Sequence, residues 1–144
     1  MSYSIVKANT KDAEYILDNC YPEEKVVHRK YSPWTDFKLA NMDAVKNDDD
    51  CYVLRNPAGR PIVMFGVKVG EFNVMWCSPI KNMSKIDTVA FLRMGKKVVK
   101  EWHKEFGLLY APVHEGWDAV KQFVEFMDFT VIEDENIAYY GDIT

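Results

Sequence analysis

The chain is expected to fold as one α/β (α+β) domain, residues 1–144. We expect a mixed, mostly antiparallel central sheet of six to seven strands, with helices on both faces. Three stretches carry that expectation. Leu108 to Phe129 reads LLYAPVHEGWDAVKQFVEFMDF, an apolar run that passes through His114–Glu115–Gly116 into an amphipathic segment. Trp117, Val120, Phe123, Val124 and Met127 recur there at helical spacing, and a further strand over Thr130 to Ile132 completes an α/β unit. Cys51 to Cys77 alternates β-branched runs with turn residues, the pattern of an antiparallel meander. Lys85 to Phe106 reads as a long helix whose apolar face is Val89, Leu92, Val99, Trp102 and Phe106, with lysines on its other side.

In chain order, Tyr3 to Ala8 reads as a first strand. Asn9 or Thr10 can cap the helix that follows, whose buried face is Ala13, Ile16, Leu17 and Cys20, and Tyr21–Pro22 ends it. Glu23 to Tyr31 is charged and irregular. Ser32–Pro33 then opens a second helix through Trp34, Phe37, Asn41 and Val45, which ends at Asn47 and Asp48–Asp49–Asp50. In the meander, Cys51 to Arg55 is a strand, Asn56-Pro57-Ala58-Gly59 a turn, and Pro61 to Val69 a long strand with Gly66 as the expected bulge. Gly70–Glu71 turns the chain into Phe72 to Cys77, and Pro79 ends the meander. Ser84, three residues before Asp87, resembles a capping box with Asp in place of Glu, and Gly107 is placed to cap the far end of the long helix. Glu133 to Asn136 is a polar turn before a last strand, Ile137 to Tyr140.

The totals narrow the function classes. Apolar residues make up 48% of the 144, enough for a core, and the net charge of −4 disfavours a general nucleic-acid binder, although a local basic stripe is compatible with it. Cys20, Cys51 and Cys77 have neither CxxC spacing nor an even count, so reduced thiols are expected. His28, His103 and His114 form no HxxxH or HExxH pattern, and Asp48–Asp50 lacks EF-hand spacing, so no metal site is expected. MSYSIVKANT has no apolar core of signal-peptide length, and no apolar run is long enough to span a bilayer. A soluble, cytoplasmic chain without membrane or nucleic-acid partners is therefore expected. Oligomeric state has no signature in the sequence.

The resulting order, β α α β β β α β α β β, resembles the GNAT acetyltransferase fold over nearly the whole chain. Cys77-Ser78-Pro79 stands where that family has V-x-P, and Lys85 to Phe106 corresponds to its coenzyme A helix. A strand pair is expected to splay where Cys77 ends and the long helix begins, leaving a slot between two β segments. The family's later helix reads N-x-x-A-x-x-x-Y-x-x-x-G-F, and here Trp117, Val120, Val124, Asp128 and Phe129 take those places. Only the final phenylalanine is kept. Within the fold, the long basic-faced helix and the Ala119 to Phe129 segment are similar to a phage-encoded group described as internal virion protein A-like or acetyltransferase-like. The resemblance implies a phage-encoded protein, transferring acetyl from acetyl-CoA to an amine of a host or phage target, or a silent scaffold associated with the virion.

The chemistry of acetyl transfer tests the resemblance. A pyrophosphate cradle needs backbone N–H groups at a helix start and glycines that admit the phosphates. The cofactor contact it implies is the turn Asn82, Met83, Ser84, Lys85, Ile86 and Asp87. The family's three glycines fall on Met83, Lys85 and Asp87, and Asp87 brings a carboxylate that reads best as a helix cap. A base for the amine is missing from Phe72 to Trp76; by location the catalytic candidates for proton transfer are Glu71, His114 and Glu115. The family's acid tyrosine is replaced by Val124, while Tyr110, Tyr139 and Tyr140 read as packing groups. Two readings follow: an acetyltransferase that grips its cofactor through backbone groups, or a catalytically silent GNAT-fold protein that binds a host or virion protein. A weaker third reading is an interaction patch made from the surplus of aromatics, 14% of the chain.

Overall fold

The computed structural model describes residues 2–20, 51–113, 118–132 and 134–141, with the side chains of 118–120 excepted. The expected second helix, 32–50, lies outside the described residues, as does the run Asp48–Asp50. The elements are β1 (Ser4–Lys7), α1 (Thr10–Asn19), β2 (Cys51–Arg55), β3 (Pro61–Lys68), β4 (Asn73–Pro79), α2 (Lys85–Phe106), β5 (Leu109–Pro112), α3 (Asp118–Phe126), β6 (Thr130–Ile132) and β7 (Ile137–Tyr140). The strands form one sheet in the order β1-β2-β3-β4-β5-β7-β6. β4 and β5 are parallel, and the pairs β1–β2, β2–β3, β5–β7 and β6–β7 are antiparallel. That is the mixed, mostly antiparallel α/β sheet the sequence implies. No helix among the described residues is long and apolar enough to cross a membrane.

The chain packs as two compact units, Met1–Gly66 with Cys77–Thr88, and Val67–Trp76 with Val89–Thr144. In the first unit, Asn9 caps α1 through a reciprocal capping box. Its side chain accepts from the Asp12 N–H at 2.8 Å, and the Asp12 carboxylate accepts from the Asn9 N–H at 3.1 Å. Asp12 is buried, and Arg55 on β2 grips both of its oxygens, at 2.7 and 2.8 Å. Ala13, Ile16, Leu17 and Cys20 form the buried face of this region. Past α1, Cys20 bridges Ile80, and Asn19 O accepts from the Lys81 N–H at 2.8 Å.

The β2–β3 turn is set by Asn56. Its Oδ1 accepts from the Ala58 and Arg60 N–H groups at 3.1 and 2.9 Å, and Gly59 takes the φ of +83° that this turn needs. Ile62, Val63 and Met64 are buried in succession, the pattern of a strand covered on both faces. The irregularity in this pair is not at Gly66, which pairs regularly with Cys51. The register shifts at Leu54/Arg55, where pairing passes from Val63 to Pro61 and skips Ile62. Proline cannot donate to the ladder, and the adjoining Ile62 carbonyl instead accepts from the Ile80 N–H at 2.9 Å.

In the second unit, α2 ends at Gly107, whose φ is +85° and whose N–H donates to His103 O at 2.9 Å, as the sequence implies. Val99 and Trp102 are its buried residues. Val89, expected on that apolar face, is 47% exposed. Gly95 allows close approach: a Cβ there would stand 2.6 Å from the Met127 methyl. Phe91 stacks on Phe123 of α3, with ring centroids 4.9 Å apart. α3 closes with Asp128 at φ +70°, while the Phe129 N–H reaches back to Val124 O at 3.0 Å.

Candidate functional site

The start of α2 belongs to the first unit. Asn82 adopts φ +58° and turns the chain into the helix. Ser84 is the cap: its Oγ accepts from the Asp87 N–H at 3.1 Å, and its carbonyl accepts from the Thr88 N–H at 2.9 Å and the Thr88 hydroxyl at 2.8 Å. The other half of the expected capping box does not form. Asp87 accepts instead from the Tyr3 hydroxyl at 2.5 Å and from Asn56 Nδ2 at 3.2 Å. This tie joins the β1 end of the chain and the β2–β3 turn to the first turn of α2. The Tyr3 hydroxyl titrates above its ordinary range, chiefly because it donates to the Asp87 carboxylate. Asn56 has no freedom to turn its amide round, since its Oδ1 is engaged by two backbone donors.

Ser84, Lys85 and Ile86 are exposed, and Met83 is half-buried. Among the described residues no hydrogen-bond partner takes the Lys85 and Ile86 N–H groups, which head a 22-residue helix. Donors so placed, together with the helix dipole, favour an anion. Tyr3 and Asn56 hold the Asp87 carboxylate to one side by its two oxygens. Neither residue stands out in the sequence as part of a site. They reach Asp87 across 84 and 31 residues, a separation that no local pattern announces.

A second feature lies within the second unit. β4 and β5 run parallel and pair at Asn73↔Leu109 and Val74↔Tyr110. The β4–β5 ladder goes no further, although β4 continues to Pro79 and β5 to Pro112. β5 holds its other neighbour throughout, from Leu109↔Tyr140 to Pro112↔Ile137. The two parallel strands thus part company after Val74 and Tyr110. The separation begins three residues earlier than the expected point at Cys77. Asn73 anchors the paired end by donating its amide to Phe106 O at 2.9 Å.

Glu71 is exposed in the turn before β4, while His114 and Glu115 lie outside the described residues. Val124 is buried in α3. Tyr110 meets Phe72 edge-on at 5.5 Å, and Tyr140 meets His103 at 5.1 Å and Phe129 at 5.6 Å, so both serve as packing groups. Among the described residues no three His, Cys, Asp or Glu side chains group to hold a metal.

No family model and no curated protein matches the chain by sequence. Solved structures do match it over most of their length. A GNAT-family acetyltransferase from Bacillus anthracis superposes with a TM-score of 0.67 at 11% identity, covering 97% of this chain and 93% of that one. The PaiA N-acetyltransferase of Thermoplasma acidophilum, in complex with coenzyme A, gives 0.65 at 15% identity, covering 99% and 100%. An aminoglycoside acetyltransferase in complex with coenzyme A and kanamycin gives 0.65 at 10% identity, covering 97% and 95%. The chain therefore has the GNAT acetyltransferase fold.

Proposed function

We propose that the protein binds acetyl-CoA and acts as an N-acetyltransferase on an amine. The observation that carries this reading is the parting of β4 and β5 after Val74 and Tyr110. From Met75 onward β4 has no ladder pair on β5, whose Ala111 and Pro112 pair with Ala138 and Ile137 of β7. Backbone groups in such an opening suit a ligand with amides of its own, by the chemistry of strand addition. Pantetheine is an extended arm with two amides. In the first unit, taken by itself, the Lys85 and Ile86 N–H groups are donors that suit a phosphate. Acetyl-CoA, when bound, would supply the acetyl group as an activated thioester and leave as the coenzyme A thiol. The chain's share is to hold and orient that group, with Glu71, His114 and Glu115 as proton-handling candidates for the amine.

A second reading is favoured by one observation. Met83, Lys85 and Asp87 stand where glycines would admit phosphate, and Asp87 adds a negative charge to the first turn. In that reading the fold is kept as a scaffold, phage-encoded, that binds a host or virion protein. A melting titration separates the two. Acetyl-CoA at about 100 times its dissociation constant should stabilise the fold by about 2.7 kcal/mol. For a chain of this size that is a rise of about 5–10 °C. No rise at millimolar acetyl-CoA supports the scaffold.

A further inference from the structure

α2 carries a face whose pattern neither reading uses. Arg93, Lys97, Lys100 and Lys104 are all exposed and follow one another at intervals of four, three and four residues. At about 100° per residue the four fall within an arc of about 60°, along about 16 Å of helix. Arg93 with Lys97, and Lys100 with Lys104, are like-charge pairs four apart, an arrangement that opposes helix formation. Among the described residues none of the four makes an ion pair. Glu101, four residues from Lys97 and three from Lys104, and Glu105 are exposed on one flank of the stripe, and among the described residues neither makes an ion pair with it. Apolar surface lies on the other flank. Val89 is 47% exposed, and Phe126 is 45% exposed beneath Lys96, whose Nζ stands 4.3 Å from its ring centroid.

A row of unmatched cations on a chain of net charge −4, bordered by exposed apolar side chains, is a local conflict that a complementary surface would relieve. We propose that this face of α2 docks an acidic amphipathic helix of a partner protein. The spacing argues for a helix, because carboxylates at intervals of four, three and four on a second helix meet the cations in register. The flanks argue against nucleic acid. A phosphate backbone would leave Val89 and Phe126 uncovered and would face the Glu101 and Glu105 carboxylates. An amphipathic peptide covers the apolar flank and places its charge over the stripe alone.

The test uses the full chain and a fluorescent synthetic helix bearing glutamates at that spacing, with leucines on the neighbouring face. Anisotropy is followed at about 50 mM salt, where screening is modest. The peptide should bind. The double substitution Lys97→Glu with Lys100→Glu should weaken it about tenfold or more, and a peptide with lysines in place of only its two central glutamates should restore binding to that variant. Circular dichroism checks that the variant folds, and Arg93→Gln with Lys104→Gln gives an independent weakening. No binding, equal binding by a scrambled peptide, equal binding to the variants, or tighter binding of a single-stranded oligonucleotide overturns the proposal.

Discussion

Replacing Asp87 by asparagine should move affinity and stability in opposite directions. The carboxylate sits in the first turn of α2, behind the Lys85 and Ile86 N–H groups that we assign to phosphate. At about 5 Å and an effective dielectric of about 40, one like-charge contact costs about 1.7 kcal/mol. Neutralising it should tighten acetyl-CoA binding about 15-fold. The same change weakens the tie to β1 and the β2–β3 turn. Asn56 must present its Nδ2, because Oδ1 is held by Ala58 and Arg60, so the new amide must offer Asn56 its oxygen. The new amide nitrogen then faces the Tyr3 hydroxyl, which can turn and accept. A charge-assisted bond becomes a neutral one, at a cost of about 1 kcal/mol. The melting temperature should fall by about 2–4 °C. Isothermal titration calorimetry reads the affinity, and a thermal melt without ligand reads the stability. An Asp87→Asn protein that binds acetyl-CoA no better than the parent would refute the reasoning, because the carboxylate would then stand nowhere near the phosphates.

Four further outcomes are expected. Arg55→Ala leaves the buried Asp12 carboxylate with only its backbone donor, and should cost about 3 kcal/mol, read as a lower urea midpoint at unchanged slope. Tyr3, whose pKa is raised by its bond to Asp87, contributes a stabilisation that is complete below pH 10 and lost as pH rises through the raised value. Tyr3→Phe should therefore flatten the fall of stability above pH 10, as followed by urea melts across that range. Gly141→Ala should destabilise by about 2 kcal/mol, because φ is +118° and a Cβ would stand 2.6 Å from His103 Cε1, whereas Gly95→Ala should be near neutral, since Met127 can turn its methyl aside while the helix gains about 1 kcal/mol in propensity.

Much of the fold could be read from local pattern. β2, β6, β7 and α2 have the boundaries that their turn and cap residues announce, and the Asn56 to Gly59 turn forms as its residues require. These elements are decided by neighbours a few residues away. Contacts made across the chain left no such mark. The sequence reading takes Asp87 for a cap because Ser84 is three residues before it, yet Tyr3 and Asn56 claim the carboxylate from 84 and 31 residues away. Val89 fits the apolar period of α2 but is exposed, because periodicity assigns a side of the helix and not the length over which that side is covered. Asp128 shows the reverse. The family's glycine is absent there, yet the backbone keeps the left-handed turn at φ +70° that a glycine would supply. At the candidate site, the turn from Asn82 to Asp87 and the parting of the parallel strands follow from element order. The residue at which the strands part, and the partners of Asp87, do not.

The central claim is that the opened β4–β5 edge receives a coenzyme A ester through backbone groups. Amide hydrogen exchange resolved by residue, with and without saturating acetyl-CoA, addresses it directly. The account expects exchange at Met75, where the β4–β5 ladder ends, to slow on addition of the cofactor, while Ala111, which pairs with Ala138 of β7, changes little. Exchange at Met75 that is the same with and without acetyl-CoA would contradict it.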